Sequence, residues 1–256
     1  MTLCRIVQLS ILLIAVCVSC SDNDAPDIAL GDVRLSFYDS TGWIHARPPE
    51  VMFALKDMGV IETLKYLGQA NYGLLLTKDM YFRLDESTMQ ILDTAAAYGK
   101  PGVRYRTCLY ADPTFPLVYA LQVSVQNNTY IFEHLTRHPI DATRGRWKMD
   151  VYAEELANRA SGTMKIYGIF ESPDPTREYT WQREGDNFFL NAWSLWGEQQ
   201  DIRITMDQRT RAGFLIVREY GLMVFESHWT ESGAGTWTEH DEQGNISSSG
   251  AWDPAQ

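Results

Sequence analysis

The chain has 256 residues, 45% of them hydrophobic, enough for one sizeable core or two modest ones. Its formal net charge is −11 and no basic run offsets it, which excludes nucleic acid and an anionic membrane surface as electrostatic partners.

The N-terminus carries one basic residue, Arg5, then the apolar run Ile11 to Val18, then Ser19 and Cys20. This order reads as a secretory signal, too short for a membrane span. Val18-Ser19-Cys20 resembles the lipobox of bacterial lipoproteins, in which a small residue precedes the cysteine that receives the lipid. Cys17 departs from that pattern, which usually has Leu there. The resemblance implies that residues 1–19 are a signal peptide, that Cys20 is lipidated, and that the membrane is reached through this lipid. Cys4 and Cys17 then leave with the signal, so Cys108 remains as a lone thiol and no intrachain disulfide is expected. Inside the strand-like run Arg106 to Tyr110, Cys108 reads as a buried small hydrophobe.

Residues 20–32 are polar and acidic, a flexible tether. Ser21, where Asp would imply inner-membrane retention, favours the outer membrane by the sorting rule of enteric lipoproteins. Asp22 and Asp24 leave open a tag for export to the cell surface. Residues 33–256 are taken as one β-rich domain, with a division near residue 100 as the alternative.

Val33 to Tyr38 alternates as a first strand and ends in the turn cluster Asp39 to Gly42. Pro48-Pro49-Glu50 opens a helical stretch in which Met52, Leu55, Ile61, Leu64 and Leu67 share a face. Gly59 divides it into two short helices and Gly68 stops it. Residues 74–84 are expected as a strand. Residues 85–98 are expected as the best helix, capped by Asp85 or Ser87, with Met89, Leu92, Ala95 and Ala96 as its apolar stripe.

Beyond Gly102 strand-length runs follow one another to Trp252, separated by short turns such as Glu184-Gly185-Asp186 and Glu219-Tyr220-Gly221. In Arg146 to Ala153 the residues Trp147, Met149, Val151 and Ala153 alternate onto one face. The fold class is therefore mainly β: an antiparallel meander of about twelve strands, a strongly curved sheet or barrel, with short N-terminal helices packed on or in it. Asp241-Glu242-Gln243-Gly244 predicts a three-residue hairpin with a bulge at the glycine. Continued without interruption, that register puts Trp237 and Trp252 on opposite faces.

The chemistry-bearing residues form weak patterns. His134-x-x-x-His138 has a metal-ligand spacing only on a helix, which Pro139 opposes, so these read as surface or loop histidines. His228, Glu231, Glu239, His240, Asp241 and Glu242 cluster around a hairpin turn, where polar residues are expected anyway. Adjacent Glu154 and Glu155 cannot by themselves supply a glycosidase pair. No nucleophile elbow, P-loop, dinucleotide fingerprint or zincin motif occurs, and no metal or cofactor is expected.

Aromatic content is the most unusual feature, with Trp193, Trp196, Trp229, Trp237 and Trp252 as candidate binding residues. Strand tryptophans fill a core or cover a glycine; alternatively they line an apolar cavity or form a stacking platform for sugar rings. Trp193 and Trp196 point to opposite faces of one strand. The sequence thus favours a non-catalytic, lipid-anchored envelope protein that binds a partner protein or an apolar ligand. By fold analogy alone it is similar to half-barrel carriers of the periplasm. The alternative is an envelope hydrolase acting on a cell-wall or saccharide polymer.

Overall fold

A computed structural model describes residues 30, 33–36, 44–81, 89–111, 117–137, 146–167, 174–195 and 199–255. Cys20, the rest of residues 1–29, His138 and Trp196 lie outside them. Thirteen antiparallel strands form one sheet in sequential order. They are β1 (Gln90–Leu92), β2 (Tyr105–Ala111), β3 (Val118–Gln126), β4 (Thr129–Arg137), β5 (Lys148–Leu156), β6 (Ser161–Tyr167) and β7 (Pro175–Glu184). After these come β8 (Asn187–Ser194), β9 (Gln200–Asp207), β10 (Gly213–Glu219), β11 (Leu222–Trp229), β12 (Gly235–His240) and β13 (Ile246–Trp252). Among the described residues β1 and β13 do not pair, so the sheet is not closed into a barrel.

Two-residue turns join β3 to β4, β7 to β8 and β10 to β11. Asn127 and Asn128, like Tyr220 and Gly221, all have positive φ, the backbone that lets strands return without splaying. Alternate residues of β4 to β13 face one core, among them Phe132, Val151, Met164, Phe188, Leu190, Ile204, Leu215 and Phe225. One face of helix α1 (Met58–Tyr81) joins that core through Val60, Leu67 and Ala70, and packs near β12 and β13. A short 3-10 helix, Glu50–Ala54, adds Met52. No helix among the described residues is long and apolar enough to cross a membrane.

Four tryptophans hold the sheet to itself. Trp181 stands directly opposite Gly162, Trp229 opposite Gly213, Trp252 opposite Gly235 and Trp237 opposite Gly250. Each indole lies over its glycine, in the space that a Cβ would need. Trp237 also lies against Gly59, so one ring joins the sheet to α1. This cross-strand covering of a glycine by an aromatic ring fills a gap in the pleat and fixes register.

The N-terminal half differs from expectation. Residues 74–81, predicted as a strand, are the last turns of α1, which runs through Gly68 without stopping. A short apolar run such as Leu74-Leu-Leu76 fits helix and strand alike, and here it continues a helix already started at Asp57. There the Asp57 carboxylate accepts from Gly59 N at 2.8 Å, and the Asp57 carbonyl from Ile61 N at 3.0 Å. Within the predicted helix 85–98, Gln90–Leu92 is strand β1 and residues 93–98 form bends. Side chains from the sheet capture that backbone: Gln122 binds Ala96 N and Ala97 O, each at 2.9 Å, and Thr107 binds Thr94 O at 2.7 Å. Tertiary pairing overrides local propensity there. Residues 33–36 form no ladder, and residues 37 and 38 lie outside the described chain.

Two bulges move faces. A register shift opposite His134 and Leu135 leaves Asp150 as the extra residue of β5, so Val151 and Ala153 face the core while Met149 pairs with Leu135 on the other side. The terminal hairpin turns as predicted: Gly244 alone has positive φ in the turn, and Asp241 N donates to Asn245 O at 2.8 Å. A second shift, between Glu239 and His240, then moves the ladder by one residue. Trp237 pairs with Gly250 and Trp252 with Gly235, so both tryptophans face the core. A slip of one residue exchanges the faces of everything beyond it, which overturns the predicted opposition.

Candidate functional site

The candidate tryptophans separate by face. Trp229, Trp237 and Trp252 are buried in the core over their glycines. Trp193 is half-buried on the opposite, outer face, because Phe188, Leu190 and Ala192 of β8 take the core positions.

Around Trp193 the register assembles a grid. Glu178, Trp193, Asp201 and Arg218 stand side by side on β7, β8, β9 and β10. Two residues along, Thr180, Asn191 and Arg203 form a parallel row on β7, β8 and β9. Together with Leu195, Gln199, Pro175 and Gly221 these residues line an open cavity of about 700 Å³. A second hollow, about 420 Å³, shares Thr180, Asn191 and Arg203 and extends to Gln182, Phe189 and Thr205. Strand parity and pairing build this site, so no contiguous motif announces it. Trp193 carried an aromatic signal in the sequence; Asp201, Arg203, Arg218 and Asn191 carried none.

The charges are mutually held but not used up. Asp201 Oδ2 accepts from Arg203 Nε at 3.0 Å and lies 2.9 Å from its Nη2, while Arg218 Nη1 is 3.9 Å away. Lys165 Nζ lies 3.6 Å from Glu178. Three shielded atoms of this groove make no hydrogen bond within the protein: Asn191 Oδ1, Asp201 Oδ1 and Arg218 Nη1. Shielded polar atoms are costly unless paired, so three in one groove beside an indole face mark a place for a polar ligand. Two acceptors and one donor suit a molecule rich in hydroxyls.

No protein-family model and no curated protein matches the chain.

The other sequence candidates have structural partners. His134, expected at the surface, is fully buried: β4 is covered on both faces over most of its length. Its Nε2 lies 2.9 Å from the Tyr110 hydroxyl and its Nδ1 3.3 Å from Asp150 Oδ2. Burial holds the imidazole below the usual histidine range despite that carboxylate, so the ring is neutral at pH 7. Asp241 serves the hairpin, accepting from Asn245 N at 2.8 Å and Gln243 N at 3.0 Å, and these bonds hold its carboxyl below the ordinary range. His240 stands 4.0 Å from Glu226 and 3.4 Å from Gly244 O. Among the described residues no group of three His, Cys, Asp or Glu could hold a metal ion.

Glu154 and Glu155 point to opposite faces. Glu154 accepts from the Tyr152 hydroxyl at 2.8 Å on the outer side. Glu155 is fully buried and receives Trp181 Nε1 and Ser36 N, each at 3.2 Å, together with the Ser36 hydroxyl and Arg159. Arg183 donates to Ser36 O, completing a clamp on the segment 33–36. The clamp lies by the β5–β6 and β7–β8 turns, and Trp193 lies at the other end of its strand.

Proposed function

We propose that the mature chain is a lipid-anchored envelope binding protein whose outer-face groove at Trp193 takes a saccharide. The observation that carries this reading is the convergence of one half-open indole with the polar side chains of Asn191, Asp201, Arg203 and Arg218 on its own and neighbouring strands. A pyranose ring offers an apolar C–H face to stack on the indole and hydroxyls that both donate and accept around its rim. The apolar-ligand reading has less support, since Trp229, Trp237 and Trp252 are occupied in packing against glycines. Attachment through Cys20 rests on the lipobox resemblance.

The hydrolase reading keeps one observation in its favour: Glu178 and Asp201 flank Trp193 on adjacent strands. About two strand spacings, roughly 10 Å, then separate their Cα atoms, near the range of an inverting carboxylate pair. A general acid must be held protonated, however, and each of these carboxylates sits beside a cation. Binding without cleavage is the better-supported function.

The test is calorimetric titration of the purified mature domain with cello-, malto- and chito-oligosaccharides. At least one series should bind, and Trp193→Ala should weaken it about tenfold or more, a change of about 1.4 kcal/mol. Absence of binding across the panel would overturn the reading, and hydrolysis of a bound sugar would replace it with the enzyme. Separately, Cys20→Ala should move the full chain from the membrane to the soluble fraction and abolish fatty-acid labelling.

A further inference from the structure

We infer that the groove holds a linear saccharide chain laid along β8, with Trp193 as one ring seat and Phe189 as a second. This rests on the saccharide reading and adds the form of the ligand. Phe189, Asn191 and Trp193 alternate onto the outer face, since the intervening Leu190 and Ala192 turn to the core. Each is flanked by polar partners on both neighbouring strands: Gln182 and Thr205 beside Phe189, Thr180 and Arg203 beside Asn191, Glu178 and Asp201 beside Trp193.

The strip is therefore aromatic, amide, aromatic, with a rim of hydrogen-bonding side chains along its length. Four residues of strand put the two aromatic positions roughly 13 Å apart, too far for one sugar ring and suited to a short run of linked ones. The two hollows adjoin at Thr180, Asn191 and Arg203, so a chain seated on Trp193 continues over Asn191 toward Phe189 without leaving the surface. Asn191 lies between the seats on the same strip, where a side-chain amide can bond a hydroxyl of the linking unit. A monosaccharide would use one seat and leave the other wet.

The experiment is a length series, one to six units of each sugar named above, titrated into the mature domain and into Phe189→Ala, Phe189→Leu and Trp193→Ala. Affinity should rise about tenfold or more once the chain is long enough to span both seats. Phe189→Ala and Phe189→Leu should both remove that rise and leave the shortest binder unchanged, because leucine keeps apolar bulk but offers no ring to stack on. Trp193→Ala should weaken every length. Affinity independent of length would overturn the extended chain while leaving single-site binding in place. The extended chain is equally overturned if the Phe189 variants weaken short and long sugars alike, or if Phe189→Leu keeps the rise. Failure of every sugar at every length would overturn the saccharide reading itself, and this inference with it.

Discussion

Trp252 stands directly across the β12–β13 ladder from Gly235, and its indole occupies the space that a glycine side chain would need. The same relationship holds at Gly162, Gly213 and Gly250, so aromatic bulk on one strand is matched by its absence on the next. A methyl group at Gly213 or Gly235 should therefore cost about 1–3 kcal/mol through overpacking. Trp229→Ala should cost about 3–5 kcal/mol through the cavity it leaves. Urea denaturation of these variants measures both losses, and unchanged stability in either would contradict the pairing of indole with glycine.

Helix α1 supplies an internal control. Gly59 lies against Trp237, whereas nothing approaches within 4 Å of the Cβ position at Gly68. Gly59→Ala should destabilise, and Gly68→Ala should stabilise by about 0.5–1 kcal/mol through the greater helix preference of alanine. Urea denaturation of both variants checks the contrast, and equal losses would contradict the placement of Trp237 on α1.

Glu133 and His134 are neighbours on β4 with opposite pH signatures. Burial raises the Glu133 carboxyl above its ordinary 4.5, against the pull of Gln122 and Lys100. The folded protein holds that proton more tightly than the unfolded chain, so stability is lost as pH rises from 4.5 through the folded value. His134 is depressed below 6.5, so stability is lost as pH falls below 6.5 toward its folded value. Glu133→Gln should then melt higher than wild type at neutral pH, and the gap should close on acidification to about pH 4. Calorimetric melting across that range measures it, and a variant no more stable at neutral pH would contradict the assignment.

Adjacent glutamates should differ sharply. Glu155→Ala removes a fully buried carboxylate that Ser36, Trp181 and Arg159 all address, and should cost about 3–5 kcal/mol. Glu154→Ala loses one hydrogen bond from Tyr152 on the outer face and should cost about 1 kcal/mol or less. Equal costs in urea denaturation would show that the segment 33–36 is not clamped as described.

The strands were legible where apolar alternation and turn chemistry agree. Leu222–Trp229, Gly235–His240 and Ile246–Trp252 are among the strand-length runs expected between Gly102 and Trp252. Faces were less legible, because one bulged residue beside His240, and another at Asp150, exchanges the two sides without changing composition. Helix α1 was misread beyond Gly68 because a short apolar run such as Leu74-Leu-Leu76 fits helix and strand alike, and here it extends a helix already under way. In the groove, Phe188 to Trp193 carries aromatic rings on both faces, so sequence alone could not say which of them open outward. Arg203 and Arg218 join Trp193 only through cross-strand register, which no spacing along the chain encodes.

The proposed binding mode divides the tryptophans, with Trp193 meeting the ligand and those packed on glycines remaining apart from it. Its most direct test is the indole N–H region of a two-dimensional NMR spectrum of the mature domain, assigned by single tryptophan substitutions. A saturating oligosaccharide from the series that binds should shift the Trp193 signal and leave those of Trp229, Trp237 and Trp252 in place. Shifts at Trp237 or Trp252 with Trp193 unmoved would contradict the account and put the ligand on the core face.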